Sequence, residues 1–207
     1  MKKLIGLTGW PGSGKTAAAA FFRKKGARVI DADSLVHGLY AGSPAVRRKI
    51  IAQFGKGVKT ARGGINRKKL AEAAFKNKAS LFKLCRIVHP EVIRRIKSQA
   101  AKAKKGIIII DAPLLLEAGL AKAVDSVITV RAGRKKCVER SRKRGFMPAD
   151  TKRRLSLQAP MREKCAEADF VINNNGGKKD LEKKVAIIWR KLKPASRQAG
   201  RKENGKG

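Results

Sequence analysis

Acidic residues are scarce in this sequence. Its 207 residues hold 15 Asp and Glu against 51 Lys and Arg, a formal net charge of +36. So few carboxylates cannot neutralise so many cations within one chain, and the imbalance points to anionic partners, either a phosphorylated small molecule or nucleic acid. Aromatic residues are also few, at 5%, which argues against stacking-based capture of single strands, and no recognisable nucleic-acid motif is present. The three cysteines, Cys85, Cys137 and Cys165, are odd in number and form no CxxC pair, with His37 and His89 as the two histidines, so neither a disulfide framework nor a zinc site is expected. No apolar run approaches the roughly 20 residues of a membrane span. The longest, Ile107 to Ile110, gives way to Asp111 and Pro113. Met1-Lys2-Lys3 opens like an export signal, yet its apolar run is short and leads straight into glycines, so the expectation is a cytoplasmic protein.

Short apolar runs alternate with longer helical patterns. Five runs, Leu4 to Leu7, Arg28 to Ile30, Ile107 to Ile110, Val124 to Val130 and Phe170 to Ile172, predict buried parallel strands in an α/β fold. Lys15 to Lys25 predicts a helix stopped at Gly26. Residues 43–105 exceed what one crossover needs and place Val92, Ile93, Ile96 and Ala100 on one face, which predicts an inserted helical lobe. Residues 134–164 are helical in pattern but dense in Lys and Arg, the composition of a basic lid. Leu181, Val185, Ile188 and Leu192 mark a last helix, and 194–207 lose all apolar period and read as a disordered tail after a single domain of 1–193.

The chemistry concentrates at strand ends. Gly9-Trp10-Pro11-Gly12-Ser13-Gly14-Lys15-Thr16 satisfies G-x-x-x-x-G-K-[ST] between a predicted strand and a predicted helix. Glycines let backbone N–H groups converge on phosphate oxygens, Lys15 reaches the β and γ phosphates, and Thr16 is a ligand for Mg2+. Asp31-Ala32-Asp33 ends the second strand, where the ligand crevice of an open α/β sheet lies. Asp33 is the candidate to orient an acceptor hydroxyl and take its proton, the alternative being a turn or helix-capping carboxylate. The run Ile107 to Asp111 has the form of a second phosphate-site strand whose Asp111 holds Mg2+ through water or Thr16, although any buried strand ending in Asp looks the same. Arg140, Arg144 and Arg154 are candidates to close over the phosphates, against a background in which most arginines are solvated surface.

In this order along the chain, the motifs resemble the dephospho-CoA kinase family. The likeness runs from about residue 3 to 190. Besides the phosphate loop it is carried by Val29-Ile30-Asp31-Ala32-Asp33, Arg67-Lys68-Lys69-Leu70, Ile87-Val88-His89-Pro90, Asp111-Ala112-Pro113-Leu114-Leu115-Leu116-Glu117, Arg140 to Gly145, Gln158-Ala159-Pro160 with Lys164, and Asn174-Asn175-Gly176. The resemblance implies a P-loop kinase with a five-stranded parallel sheet flanked by helices, a helical substrate lobe and a lid. It implies ATP and Mg2+ as cofactors and dephospho-CoA as substrate. It matches Pro11, Gly12, Ser13, Gly14, Lys15 and Thr16 to ATP phosphates, Asn175 and Gly176 to the adenine loop, Asp33 to the ribose 3′-hydroxyl, and Arg67, His89 and Arg140 to positions near substrate or phosphate. His89, just before Pro90, fits a packed turn histidine equally well. Trp10-Pro11 departs from the small residue and isoleucine usual in the family and looks more like nucleoside monophosphate kinases, so a kinase of such a nucleotide or of another small hydroxyl compound is a competing reading. A nucleic-acid-binding P-loop protein, or nonspecific nucleic-acid association through the charge, is a third.

Overall fold

The computed structural model describes residues 2–193; the tail expected at 194–207 lies outside them. In chain order the elements are β1 (Lys2–Thr8), α1 (Lys15–Lys24), β2 (Arg28–Asp31), α2 (Ala32–Gly42), α3 (Pro44–Phe54), α4 (Arg67–Ala74), α5 (Lys78–Ala101), β3 (Gly106–Asp111), β4 (Ser126–Arg131), α6 (Arg134–Arg142), α7 (Pro148–Leu157), α8 (Met161–Ala166), β5 (Phe170–Asn173) and α9 (Lys178–Leu192). All five predicted strands are present, each within two residues of its expected ends at either side. They form one parallel sheet in the order β2-β3-β1-β4-β5.

The isoleucines of β3 show why this sheet needs cover on both faces. Successive side chains point to opposite sides, so Ile108 and Ile110 join Ile30 and the helical lobe, while Ile107 and Ile109 join Phe22 of α1 and Val185 of α9. β-branched residues suit this doubly buried, pleated environment. Gly6 of β1 lies on the lobe side, where a Cβ would come within 2.7 Å of Leu115. Register then sets the site: Leu7 and Asp31 both pair with Asp111, so the ends of β1, β2 and β3 open at one sheet edge.

Three boundaries differ from the sequence reading. The lobe begins with α2 rather than near residue 43. Val36, Gly38 and Tyr40 are weak helix formers, but Asp31 supplies a cap, its carboxylate accepting from the N–H groups of Asp33 (2.9 Å) and Ser34 (3.2 Å). His89 and Pro90 lie inside the long helix α5, not in a turn. Burial of Leu84, Cys85, Val88, Val92 and Ile96 along one face carries that helix past the missing proline N–H. The basic segment divides at Gly145, whose φ of 85° only glycine adopts readily, and again before Pro160. Its last helix, α8, is tied to the sheet: Thr129 of β4 donates to the Lys164 carbonyl at 2.7 Å. Among the described residues, no helix is long and apolar enough to cross a membrane.

Candidate active site

Between β1 and α1 the chain makes a loop that only glycine permits. Gly9, Gly12 and Gly14 have φ of 150°, 77° and 98°. A Cβ on Gly12 would lie 2.1 Å from the Cys137 carbonyl oxygen, and one on Gly14 would lie 2.0 Å from the Asn174 side chain. The loop is thus seated between α6 and the segment after β5, and Asn174 completes the seat by donating to the Ser13 carbonyl at 2.7 Å. Ser13 Oγ is buried with no protein partner, which leaves it open to a ligand or water. The first turn of α1 carries no acidic residue, so its exposed N–H groups and positive end remain available to an anion.

Lys15 is paired with Asp111 across the cleft, both side chains largely buried. Thr16 follows at the start of α1. Asp31 and Asp33 divide two roles: Asp31 is the helix cap, which leaves the Asp33 carboxylate free at the mouth of the cleft. The Asp33 side chain is exposed to solvent at the mouth of the cleft, with protein groups close around it. This partial burial raises its pKa, Lys15 pulls it back down, and Asp31 and Asp111 push it further up.

Two cavities meet here. One, of about 280 Å³, is lined by the phosphate loop, Lys15 and Thr16 and by Arg144, Arg154 and Gln158 from the lid side. The other, of about 740 Å³, lies in the helical lobe and is lined by α2, α4 and α5, including His37, Arg67, Cys85 and His89. Asp33, Phe75, Pro113, Leu114, Phe146 and Arg154 line both. Asp33 therefore stands at the passage between a phosphate cleft and a larger, more apolar chamber.

The remaining candidates fall into place around these cavities. Arg67 approaches His37 at 2.9 and 3.0 Å, and burial together with the Arg67 charge lowers the His37 pKa. Burial lowers that of His89 to about 4, so this histidine is neutral near pH 7. Arg140 does not line the phosphate cleft. Its guanidinium donates to the carbonyls of Asn174 (3.0 Å) and Gly176 (3.3 Å), while the Asn175 side chain accepts from the Gly133 N–H at 2.9 Å. Arg140, Asn175 and Gly176 thus form one unit beside the phosphate loop. Arg154 sits 5.0 Å from the Phe75 ring centre and 5.7 Å from that of Phe146, bridging lobe and lid.

Sequence reasoning did not single out His37, Phe75 or Phe146, and it named Gln158 as part of a resemblance and without a role. His37 is four residues after Asp33, a spacing that puts both on one helix face once α2 is recognised. In a chain with seven phenylalanines, Phe146 is notable for being 47% exposed within a basic segment. Nothing in the sequence marks Phe75.

Of the ion pairs among the described residues, two join distant parts of the chain: Lys15 with Asp111, and Lys164 with Glu117. The others are three or four residues apart on helix surfaces, where such pairs contribute little. Lys164 is fully buried, and its Nζ donates to Glu117 Oε1 and Oε2 at 2.9 and 3.1 Å and to the Pro113 carbonyl at 2.9 Å. Burial lowers its pKa, and the Glu117 carboxylate opposes that shift.

Comparison with known proteins agrees with this geometry. Residues 3–180 match the family model for dephospho-CoA kinase. The dephospho-CoA kinase of Aquifex aeolicus is 39% identical over 191 residues, covering 92% of this chain and 97% of the relative. A solved structure of TT1252 from Thermus thermophilus superposes with a TM-score of 0.79 at 27% identity, covering 93% of this chain and 99% of that one. The dephospho-CoA kinase from Campylobacter jejuni gives 0.65 at 25% identity, with 93% and 98% covered. A phosphate loop opening on a shared carboxylate, a lobe with its own chamber and a match over nearly the whole length place this chain in the dephospho-CoA kinase family.

Proposed function

We propose that this protein transfers the γ-phosphoryl group of ATP to the ribose 3′-hydroxyl of dephospho-CoA, giving CoA and ADP. The observation that carries this reading is the position of Asp33, which lines both the phosphate cleft and the lobe chamber. An acceptor seated in the chamber brings its hydroxyl to the passage, where ATP presents its terminal phosphate. The Asp33 carboxylate accepts a hydrogen bond from that hydroxyl, aims it in line, and takes its proton as the new O–P bond forms.

Backbone N–H groups from Gly12 to Thr16 hold the phosphates. Lys15 leaves Asp111 for the β and γ oxygens, which frees the Asp111 carboxylate. Thr16 Oγ1 and the Asp111 carboxylate are hard oxygen donors on the two elements that flank the cleft, a set that suits Mg2+, and they would hold it directly or through water. When bound, the ion neutralises charge on the β and γ phosphates. Arg144 and Arg154 line the cleft from the lid side and neutralise charge on the transferring group, while Arg140 holds the 174–176 loop against which the adenine rests. In the chamber, Arg67 and Lys68 offer cations to the substrate's phosphates, and neutral His89 offers a hydrogen bond.

ADP release measured with dephospho-CoA, AMP, CMP and shikimate tests the substrate. Fast turnover of dephospho-CoA alone is expected; preference for a nucleoside monophosphate or shikimate would replace this reading.

A further inference from the structure

Trp10 occupies the second position of the phosphate loop and is partly buried there. Its indole Nε1 donates to the carbonyl of Ala159 at 3.1 Å, across 149 residues of chain. Ala159 lies just beyond α7, between Gln158 and Pro160. The other polar group of the same residue is also taken: its N–H donates to Glu117 Oε1 at 2.7 Å. Glu117 is held in turn by the buried Lys164, and Lys164 by the Pro113 carbonyl, which also accepts from Thr8 at the end of β1 at 3.1 Å. The backbone at the root of the lid is therefore gripped from both sides, by the phosphate loop through Trp10 and by the segment after β3 through Glu117.

What this root carries is the face of α7 that meets the phosphates. Gln158 is adjacent to Ala159, and Thr151 and Arg154 precede it on the helix; all three line the phosphate cleft with Trp10 itself. Pro160 stiffens the chain on the far side of the grip. A displacement at Ala159 is thus passed through Gln158 to the last turn of α7, which carries Arg154, and an error of about 1 Å in a charge aimed at a reacting group is costly.

We infer that Trp10 is a positioning residue for phosphoryl transfer: its indole N–H fixes the lid root to the phosphate loop and so sets where α7 presents Arg154 to ATP. The inference rests on the reading that Arg154 faces the phosphates. Glu117 and Lys164 hold the root whether or not the loop changes shape. The Trp10 bond belongs to the loop itself and ties the root's position to that of the bound nucleotide.

The test compares Trp10→Phe, Trp10→Ser, Arg154→Ala and the Trp10→Phe/Arg154→Ala double variant in full-length protein. Trp10→Phe keeps an aromatic ring and loses the N–H; Trp10→Ser loses both the ring and the bond to Ala159, and serves if the phenylalanine variant does not fold. Each single Trp10 change should lower kcat by about tenfold, the scale of one hydrogen bond, with KM for dephospho-CoA within about twofold of wild type. In the Arg154→Ala background, replacing Trp10 should have little further effect, a non-additivity that a general loss of stability would not produce. Wild-type kcat in Trp10→Phe with a slow Arg154→Ala overturns this inference alone, as does full additivity in the double variant. Wild-type kcat in Arg154→Ala overturns the lid reading beneath it.

Discussion

Asp31 and Asp33 are two residues apart and chemically identical, yet hydrogen bonding separates them. The Asp31 carboxylate already accepts from two N–H groups of α2 and from the Ser34 hydroxyl at 2.8 Å, so it is committed to the helix cap, whereas Asp33 lines the cleft. Asp33→Asn keeps the size of the side chain and removes its basicity; kcat should fall by roughly 10²- to 10⁴-fold with little change in ATP affinity, as steady-state kinetics and nucleotide titration would show. Asp31→Ala should instead lower stability by about 1 kcal/mol through loss of the cap, read as a lower denaturation midpoint. A base must be ionised, and the Asp33 pKa is raised from 3.8. Activity should therefore decline on the acid side at a higher pH than an unperturbed aspartate would give, and Asp33→Asn should lack that limb. The pair Asp31-Ala32-Asp33 was legible in the sequence as a site; which aspartate caps and which faces the cleft required the start of α2.

At the scale of elements, strands were easier to read than helices. Four consecutive isoleucines ending at an acid and a glycine loop after an apolar run are local signals, and β1, β3 and the phosphate loop stand where those signals place them. Helix α5 shows the limit. A proline forbids one hydrogen bond locally, but burial along 24 residues outweighs it. Pro90→Ala should restore the N–H and raise stability by about 1–3 kcal/mol in denaturant unfolding. His89 on the same helix links stability to pH. Its folded pKa of about 4 lies below its ordinary value of 6.5, so the fold favours the neutral ring. That contribution is present above about 6.5 and is lost as pH falls towards 4; His89→Gln should flatten stability over this window. The contact of Arg154 with Phe75 and the bond from Trp10 to Ala159 had no sequence signal, because each joins segments far apart in the chain.

For the whole molecule, charge and catalysis separate. The proposed phosphoryl transfer needs only a few cations, with Lys15, Arg144 and Arg154 as the candidates, whereas the chain carries +36. With so few acids to pair with, that excess is expected to attract polyanions. Binding to mixed-sequence RNA should be nonspecific and should weaken steeply as salt rises from 50 to 200 mM, a range over which log affinity falls in proportion to the phosphates neutralised, while kinase turnover changes far less. Filter binding and turnover measured in the same buffers would separate the two; salt-resistant, sequence-selective binding would assign the charge a recognition role. The most direct measurement for the whole account is the fate of the phosphoryl group. ATP labelled at its γ-phosphate, incubated with dephospho-CoA and Mg2+, should place one label per turnover on the ribose 3′-oxygen, identified by phosphorus NMR of the product as a new monoester with stoichiometric ADP. Label appearing in inorganic phosphate alone, or on another hydroxyl of the acceptor, would contradict it.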